Sequence, residues 1–528
     1  QEPVDTIAGS MTKKLSTFIS SIGILERHGS DDPEIADLAY DSRKVHEGSL
    51  FFALPGLHAD GSAFIADAIK RGAKAIIHEK TLESYQSGIV YLRVENSRFA
   101  MSPIAAAFHD HPSRDLVVIG VTGTEGKSTT VSLVWQLLTL SGVKAGFIST
   151  VECSLGGEAI PNPEHQTTPE AVTVHARLAD MRDNGCTHAV IESSSHGLSV
   201  KTNRLGDVLF DVGIMTNVTH EHLEFHGTRE QYKSDKANLF RALDSHDHVK
   251  AGRKVPSFGV VNEEDTASVY FRSVTGQPVY GYSTWADARK GASASAIEND
   301  REGSSFSLFC GGETFRARIN LPGAFNVYNA LAAALTVSRA LERPMSDIVP
   351  LLARLEPIRG RMTVVDEGQP FEVLVDYAHT PSSFQAIFPP LRKRIAGRII
   401  SLFGSGGERD TVKRPEQGRI AADYSDIVIL ADEDPRGEEP MALLEEIAKG
   451  CPEMTRGESL FLIPNRPEAV RKAISLARAG DLVLLLGKGH ENSIIYRDRT
   501  DPYDEIAEAQ AALREAGYGK AEHDKAGS

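Results

Sequence analysis

The sequence predicts an α/β protein built as three consecutive domains, and three observations carry that expectation. The chain has 528 residues, three to four times the roughly 150 residues of an ordinary domain. Short apolar runs such as 116–121 (LVVIGV) and Leu482–Leu486 (LVLLL) alternate with segments of helical apolar spacing, the pattern of a parallel sheet covered on both faces. Each run ends in a loop rich in Gly or Asp, and open α/β sheets bind ligands at the carboxyl ends of their strands.

The first block runs to residue 114. Residues 49–54 (SLFFAL) read as a buried strand stopped by Pro55 and Gly56, 64–71 as a helix and 73–78 as a second strand. The second block, 115–355, opens with the strand 116–121, a Gly-rich turn over 122–130 and a helix over 131–140. Strands over 189–191 and 212–215 continue the alternation, and an Ala-rich helix over 326–341 closes the block. The third block, 356–528, carries strands over 371–375, 398–403, 426–430 and 481–486 with helical segments between them. Its polar tail from 517 is expected to fray.

Composition narrows the function. Lys and Arg number 57 against 72 Asp and Glu, a net charge of −15, so no nucleic-acid partner is expected, since that would need a basic face. No apolar run approaches the roughly 18 residues of a membrane span, and no membrane partner is expected. Cys153, Cys186, Cys310 and Cys451 are too far apart for a metal or redox motif, which points to a reducing cytoplasm. The first ten residues lack the charged and apolar segments of a secretory leader; Met11 could serve as an alternative start.

The strongest local signal is GVTGTEGKSTT at 120–130, on a strand-to-helix junction. Backbone N–H groups of such a turn converge on phosphate. Lys127 would neutralise β/γ oxygens, and Ser128 or Thr129 would ligate Mg²⁺. The strict GxxxxGK[ST] pattern wants Gly where this chain has Val121; Gly123 gives a compact form instead. Glu192 leaves the next strand in ESSSHG, placed either as a Mg²⁺ ligand or in a plain polar loop. His220, Glu221, His222, Glu224 and His226 crowd the loop after 212–215 as a metal site or a solvated turn, and Lys236 beyond them reads locally as a surface lysine.

Four loops end strands of the third block. They are 376–381 (DYAHTP), 404–415 with Arg409, Lys413 and Arg414, 432–439 (DEDPRGEE) and 487–491 (GKGHE). The second joins a phosphate-sized turn to three cations, a clamp on transferring charge. Arg436 could fork onto a carboxylate, while Glu433 and Glu491 could hold an ammonium. Solvated charge runs are the alternative for each.

Taken in order, GTEGKST, ESSSHGL, MTNVTHEHLEFHG with Lys236 after it, LPGAFNVYNALAAA, DYAHTP, FGSGGERD with KRP, DEDPRGEEP and GKGHE resemble the motif series of the Mur ligase family, from about Leu38 to Glu505. The resemblance implies a small N-terminal α/β UDP-binding domain, a central P-loop ATPase domain with a parallel sheet, and a C-terminal Rossmann-like α/β domain. It implies an ATP-dependent amide ligase of peptidoglycan precursor synthesis. Such an enzyme adds a diamino acid to the D-Glu carboxyl of UDP-N-acetylmuramoyl-L-Ala-D-Glu through an acyl phosphate. ATP, Mg²⁺ and a Lys236 carbamylated by CO₂ are the implied cofactors. The implied partners are small-molecule substrates, and the chain is expected to be a monomer.

Carried residue by residue, the resemblance places Ser42, Leu57, His58, Ala59, Thr167, Thr168, Ser194 and Arg204 on the UDP substrate. Gly123, Thr124, Glu125, Gly126, Lys127, Ser128, Thr129, Asn326, Asn329, Asp376 and His379 fall on ATP. Ser128, Glu192, His222 and the Lys236 carbamate fall on Mg²⁺, with Lys127, Glu192, His222 and Lys236 as the catalytic set. Arg409, Glu433, Asp434, Pro435, Arg436, Gly487 and Glu491 fall on the incoming amino acid.

Three positions depart from the family pattern. Glu125 stands where Asn is usual, an unfavourable charge beside triphosphate unless it points away or meets Mg²⁺. Glu221-His222 replaces Asp-His. Asp434 replaces the Asn of the D-N-P-R motif that accompanies meso-diaminopimelate. One extra negative charge there favours the terminal ammonium of lysine or ornithine over a distal carboxylate. At 4 Å and an effective dielectric constant near 20, such a contact is worth about 4 kcal/mol before desolvation and screening; Arg436 pulls the other way. The same reaction with meso-diaminopimelate, or a folylpolyglutamate synthase-like ligase, are the alternatives, and Asp41-Ser42-Arg43 with GKGHE speak against the second. Nucleotide on the second block and acceptor on the third would have to meet by domain closure.

Overall fold

The computed structural model describes residues 12–55, 60–164, 166–219, 223–285, 291–300, 302–321, 323, 325–408 and 411–519, apart from the side chains of Leu223 and Glu224. Among the described residues three large sheets follow one another along the chain, with three two-stranded ones beside them. The first has five strands in the order Ile24–His28, Val90–Val94, Ala75–His78, Ser49–Phe52, Asp37–Ala39. Its inner strands, SLFF and AIIH, are buried throughout, as strands covered on both faces must be. Helix Ser97–Phe108, capped by Asn96, lays Met101, Ile104, Ala105 and Phe108 on one face of it, spacing that puts all four on one helical stripe.

The central sheet has eleven strands. Seven of them run parallel: Ala145–Ile148, His188–Glu192, Val117–Thr122, Val212–Met215, Phe258–Asn262, Val279–Ser283 and Ala292–Asn299. The expected parallel sheet is therefore its core, and antiparallel strands finish both edges. Ser304–Cys310 and Glu313–Ile319 form one such edge, and in SSFSLFC every second residue is buried. That alternation marks an antiparallel strand with one face on the core, and it lacks the continuous apolar run by which the other strands are recognised. Helix Phe325–Ala340 packs on helix Lys127–Leu140; its small Ala330, Ala332, Ala333 and Ala334 are fully buried and permit the close approach. The Ala-rich helix does not end the block, because Met345–Leu352 adds another helix.

The third sheet has six strands in the order Thr363–Val364, Glu372–Asp376, Leu482–Leu486, Ile399–Phe403, Ile427–Leu430, Leu460–Leu462, all parallel after the first. Its two faces carry separate apolar cores beneath different helices. Behind the ligand-side loops lies a fully buried Arg466–Glu505 ion pair. Arg466 also donates to the Asp432 and Leu486 carbonyls, so one guanidinium ties two loop-bearing strand ends together. Among the described residues no helix is long and apolar enough to cross a membrane, and the four cysteines are buried and unpaired.

Candidate active site

The phosphate loop leaves strand Val117–Thr122 at Gly123 (φ +151°) and enters the helix at Gly126 (φ +79°). A Cβ on Gly123 would lie 1.8 Å from Thr216 Oγ1, so the loop can pass this close to the neighbouring strand end only without a side chain. Thr216 Oγ1 donates to the Glu125 carbonyl at 2.6 Å, and the Glu125 N–H donates to Asn217 Oδ1 at 2.9 Å. The helix starts at Lys127, four residues earlier than apolar spacing suggested, because the polar KST segment forms its first turn. Lys127 Nζ folds back to donate to the Thr124 carbonyl at 2.7 Å.

Ser128 Oγ donates to Glu192 Oε1 at 3.0 Å, and Glu192 Oε2 accepts from the Thr150 N–H at 2.8 Å. A buried hydroxyl beside a buried carboxylate is an all-oxygen donor pair, which suits a hard cation such as Mg²⁺. Lys236 is buried, not at the surface. Its helix, Arg229–Ala242, turns that face toward the phosphate loop, where Nζ donates to the Gly123 carbonyl at 2.6 Å and sits 4.5 Å from the Tyr232 ring centroid. His226 Nδ1 lies 2.7 Å from Asp235 Oδ2 on the same helix. His220, Glu221, His222, Leu57, His58, Ala59 and Arg409 lie outside the described residues.

Thr168 Oγ1 donates to the Glu192 carbonyl and accepts from the Ser194 N–H. Arg204 donates to the Thr168 carbonyl and to Glu170 Oε1, which Arg98 of the first block also reaches at 2.9 Å. Thr168, Ser194 and Arg204 therefore form one cluster at the junction of the first two sheets. Ser42 follows Tyr40 by two residues; burial pushes the Tyr40 hydroxyl up, and the nearby Arg204 opposes the shift.

Two cavities open between the second and third sheets. One, of about 310 Å³, is lined by Asn326, Asn329 and Asp376 together with the apolar Phe325, Ile358 and Ile387. The other, of about 670 Å³, runs from the phosphate loop, Thr167 and Glu192 to His379, Lys413, Glu433, Asp434, Arg436 and Glu491. Glu125, Gly126, Thr129 and Arg361 line both. Asp376 accepts the Met362 and Ala378 N–H groups at 2.8 Å; burial pushes its carboxyl up and Arg361 opposes the shift.

At the far end of the larger cavity, burial also pushes the Glu433 carboxyl up, and Gly487 packs directly on it. Asp434 Oδ1 accepts from Lys488 Nζ at 3.0 Å and from the Ile495 N–H at 2.9 Å. The fully buried Lys488 reaches Glu491 Oε2 as well, at 2.6 Å. The extra charge of Asp434 is thus matched by a lysine rather than presented unpaired. The Asp434 carbonyl, next to Pro435, accepts from the Gly407 N–H. Arg414, expected in a phosphate clamp, is instead fully buried and held by Glu438 and Glu446 at 2.8 and 2.7 Å; its neighbour Lys413 lines the cavity.

Sequence reading passed over Arg361. Its Nη2 donates to Ser128 Oγ at 3.3 Å and its guanidinium lies over the Tyr377 ring at 4.8 Å. A cation in the 353–362 connection carries no motif of its own; only folding shows that the connection crosses the phosphate loop.

Burial pushes the Asp432 carboxyl up to about 6, against the Tyr496 hydroxyl that donates to it at 3.0 Å. The folded chain therefore holds this proton more tightly than the unfolded chain. Its contribution to stability is full below about pH 4 and is lost as pH rises through about 6. Asp432→Asn should match the parent at pH 4 and exceed it at pH 7, checked by urea midpoints at both.

A phosphate loop that opens through one cavity onto the acid-rich loops of a second α/β sheet is the geometry of a nucleotide-dependent enzyme. The chain belongs to the Mur ligase family, a family of ATP-dependent ligases. Residues 34–109 match the Mur ligase family catalytic domain, 121–337 the Mur ligase middle domain, and 360–489 the Mur ligase glutamate ligase domain. It is 54% identical to a UDP-N-acetylmuramyl-tripeptide synthetase of Treponema denticola, over 95% of this chain and 98% of that one. It is 37% identical to a UDP-N-acetylmuramoyl-L-alanyl-D-glutamate–2,6-diaminopimelate ligase of Geobacillus kaustophilus, over 96% and 100%. A solved structure of a ligase of that same name superposes with a TM-score of 0.62 at 26% identity, covering 96% of this chain and all of the other.

Proposed function

We propose that the chain adds lysine or ornithine to the D-Glu carboxyl of UDP-N-acetylmuramoyl-L-Ala-D-Glu, through an acyl phosphate, in the cytoplasm and as a monomer. The observation that carries this reading is the single cavity running from the phosphate loop to Glu433, Asp434, Arg436 and Glu491. The division of labour follows: 1–114 grips the UDP end, 115–355 holds ATP and 356–528 presents the amino acid. A carboxylate cannot accept an amine directly, because oxide is a poor leaving group. Attack of the D-Glu carboxylate on the γ-phosphorus gives acyl phosphate and ADP. The amine then adds to the carbonyl, loses a proton, and phosphate departs from the tetrahedral intermediate.

The first cavity suits the nucleoside, with Asn326, Asn329 and Asp376 on its wall, and the phosphates run along Gly123–Thr129. Ser128, Glu192 and His222 would hold Mg²⁺, which supplies charge neutralisation at the phosphates. Lys236 would join them as a carbamate, formed when its neutral amine adds to CO₂ and releases a proton; the product is an anion where the unmodified side chain is a cation. Arg361 reaches Ser128 from the connection that leads into the third sheet and would neutralise the transferring phosphoryl group. Arg361→Ala should lower kcat by on the order of 10²–10³-fold, the range for losing one preorganised donor at a charged transition state. Steady-state ADP release measures it.

Incubating the purified enzyme with the muramoyl dipeptide nucleotide, ATP, Mg²⁺ and lysine, ornithine or meso-diaminopimelate tests the whole reading by product mass. No ADP with any of the three would end the ligase assignment, and a strong preference for diaminopimelate would overturn the acceptor assignment alone.

A further inference from the structure

The Glu125 carboxylate, in the middle of the phosphate loop, reaches across to the third domain. Its Oε1 accepts from Thr380 Oγ1 at 3.0 Å and from Ser382 Oγ at 3.4 Å. Both hydroxyls lie 255 or more residues away in sequence, at the start of helix Pro381–Arg394 on the third sheet. Thr380 caps that helix, accepting from the Ser383 N–H while the Ser383 hydroxyl accepts from the Thr380 N–H. The carboxylate thus meets the positive end of the helix dipole, where negative charge is stabilised. The Glu125 backbone is fixed by Thr216 and Asn217, so the side chain cannot follow the third sheet without moving the loop that bears Lys127 and Ser128.

We infer that Glu125 is a positioning residue that latches the phosphate loop to the third domain and thereby couples nucleotide binding to closure. The latch rests on the proposed function only for its effect on turnover; the contact between the phosphate loop and the third domain is tested without ligand. A carboxylate next to a triphosphate is otherwise a liability, and two hydroxyls at a helix N-terminus offset part of its charge. It also gives the loop a grip on the domain that supplies the acceptor. Asparagine could accept one of these hydrogen bonds but would carry no charge toward the helix end.

The test uses the full chain. Glu125→Ala and the paired Thr380→Val/Ser382→Ala variant should each lower kcat by roughly tenfold to a hundredfold, the range for a hydrogen bond to a charged group. The KM for ATP should change less. Combining all three substitutions should cost no more than the worse of the two, because the groups act as one contact. Small-angle scattering without ligand should show each variant more extended than the parent. Thr380→Asp keeps a good helix cap but opposes carboxylate to carboxylate, so it should show the same extension if the hydroxyl-free variant folds poorly. Additive losses, or an unchanged scattering profile for Thr380→Asp, would overturn the latch. Should the parent release no ADP with any acceptor, the ligase reading fails while scattering still decides the latch.

Discussion

Lys236→Ala is expected to stay folded and to lose ligation by on the order of 10²–10³-fold, the cost of removing a charge placed at the reacting phosphates. Lys236 is buried, with Nζ 2.6 Å from the Gly123 carbonyl, so two roles have to be separated. As an amine it would simply pin the phosphate loop. As a carbamate it would contribute negative charge toward Mg²⁺. Added formate or acetate should restore part of the activity of Lys236→Ala if the carbamate is the working form. Rescue by a short alkylammonium but not by a carboxylate would identify the amine as a pin and remove the carbamate from the mechanism. Labelling the parent with carbon-13 bicarbonate and looking for a carbamate carbon resonance is the independent check.

Asp434→Asn should shift acceptor preference toward meso-diaminopimelate, with the kcat/KM ratio moving by at least about tenfold, the equivalent of 1.4 kcal/mol. The route differs from the simple repulsion that the sequence suggests. Asp434 and Glu491 share the buried Lys488 at 3.0 and 2.6 Å. With Asn at 434, Lys488 keeps one carboxylate partner instead of two, and the pocket next to Arg436 becomes less negative by one charge. That change would favour the distal carboxylate of diaminopimelate over a terminal ammonium. Competition between lysine and diaminopimelate, read by product mass in parent and variant, measures the shift. An unchanged ratio would mean that Arg436, not the charge at 434, sets the preference.

Much of the fold was legible wherever a strand is buried on both faces, because continuous apolar runs such as LVVIGV and LVLLL announce themselves. The distal edge of the central sheet was not. ASASAIEN and SSFSLFC trade apolar residues for Ser and Ala, and it is their pairing with each other and with Glu313–Ile319 that makes them strands. Motif residues that meet at strand ends, such as Ser128 with Glu192, were readable because sheet topology dictates where strand ends gather. Contacts that depend on how one domain rests against the next were not readable. Arg361 on Ser128 and Glu125 on Thr380 join positions 233 and 255 residues apart, and no local pattern links them. Arg414 shows the opposite error: in a cation-rich loop the sequence cannot tell which guanidinium is consumed by Glu438 and Glu446.

The two cavities share a partition in which Glu125, Gly126, Thr129 and Arg361 face both sides. A synthetic molecule threaded past that partition, with an aromatic head on the Phe325 side and a cationic tail toward Glu491, would occupy both chambers at once. Its inhibition would be relieved by raising either the nucleotide or the amino acid, and its head would gain affinity from the apolar wall around Phe325, Ile358 and Ile387.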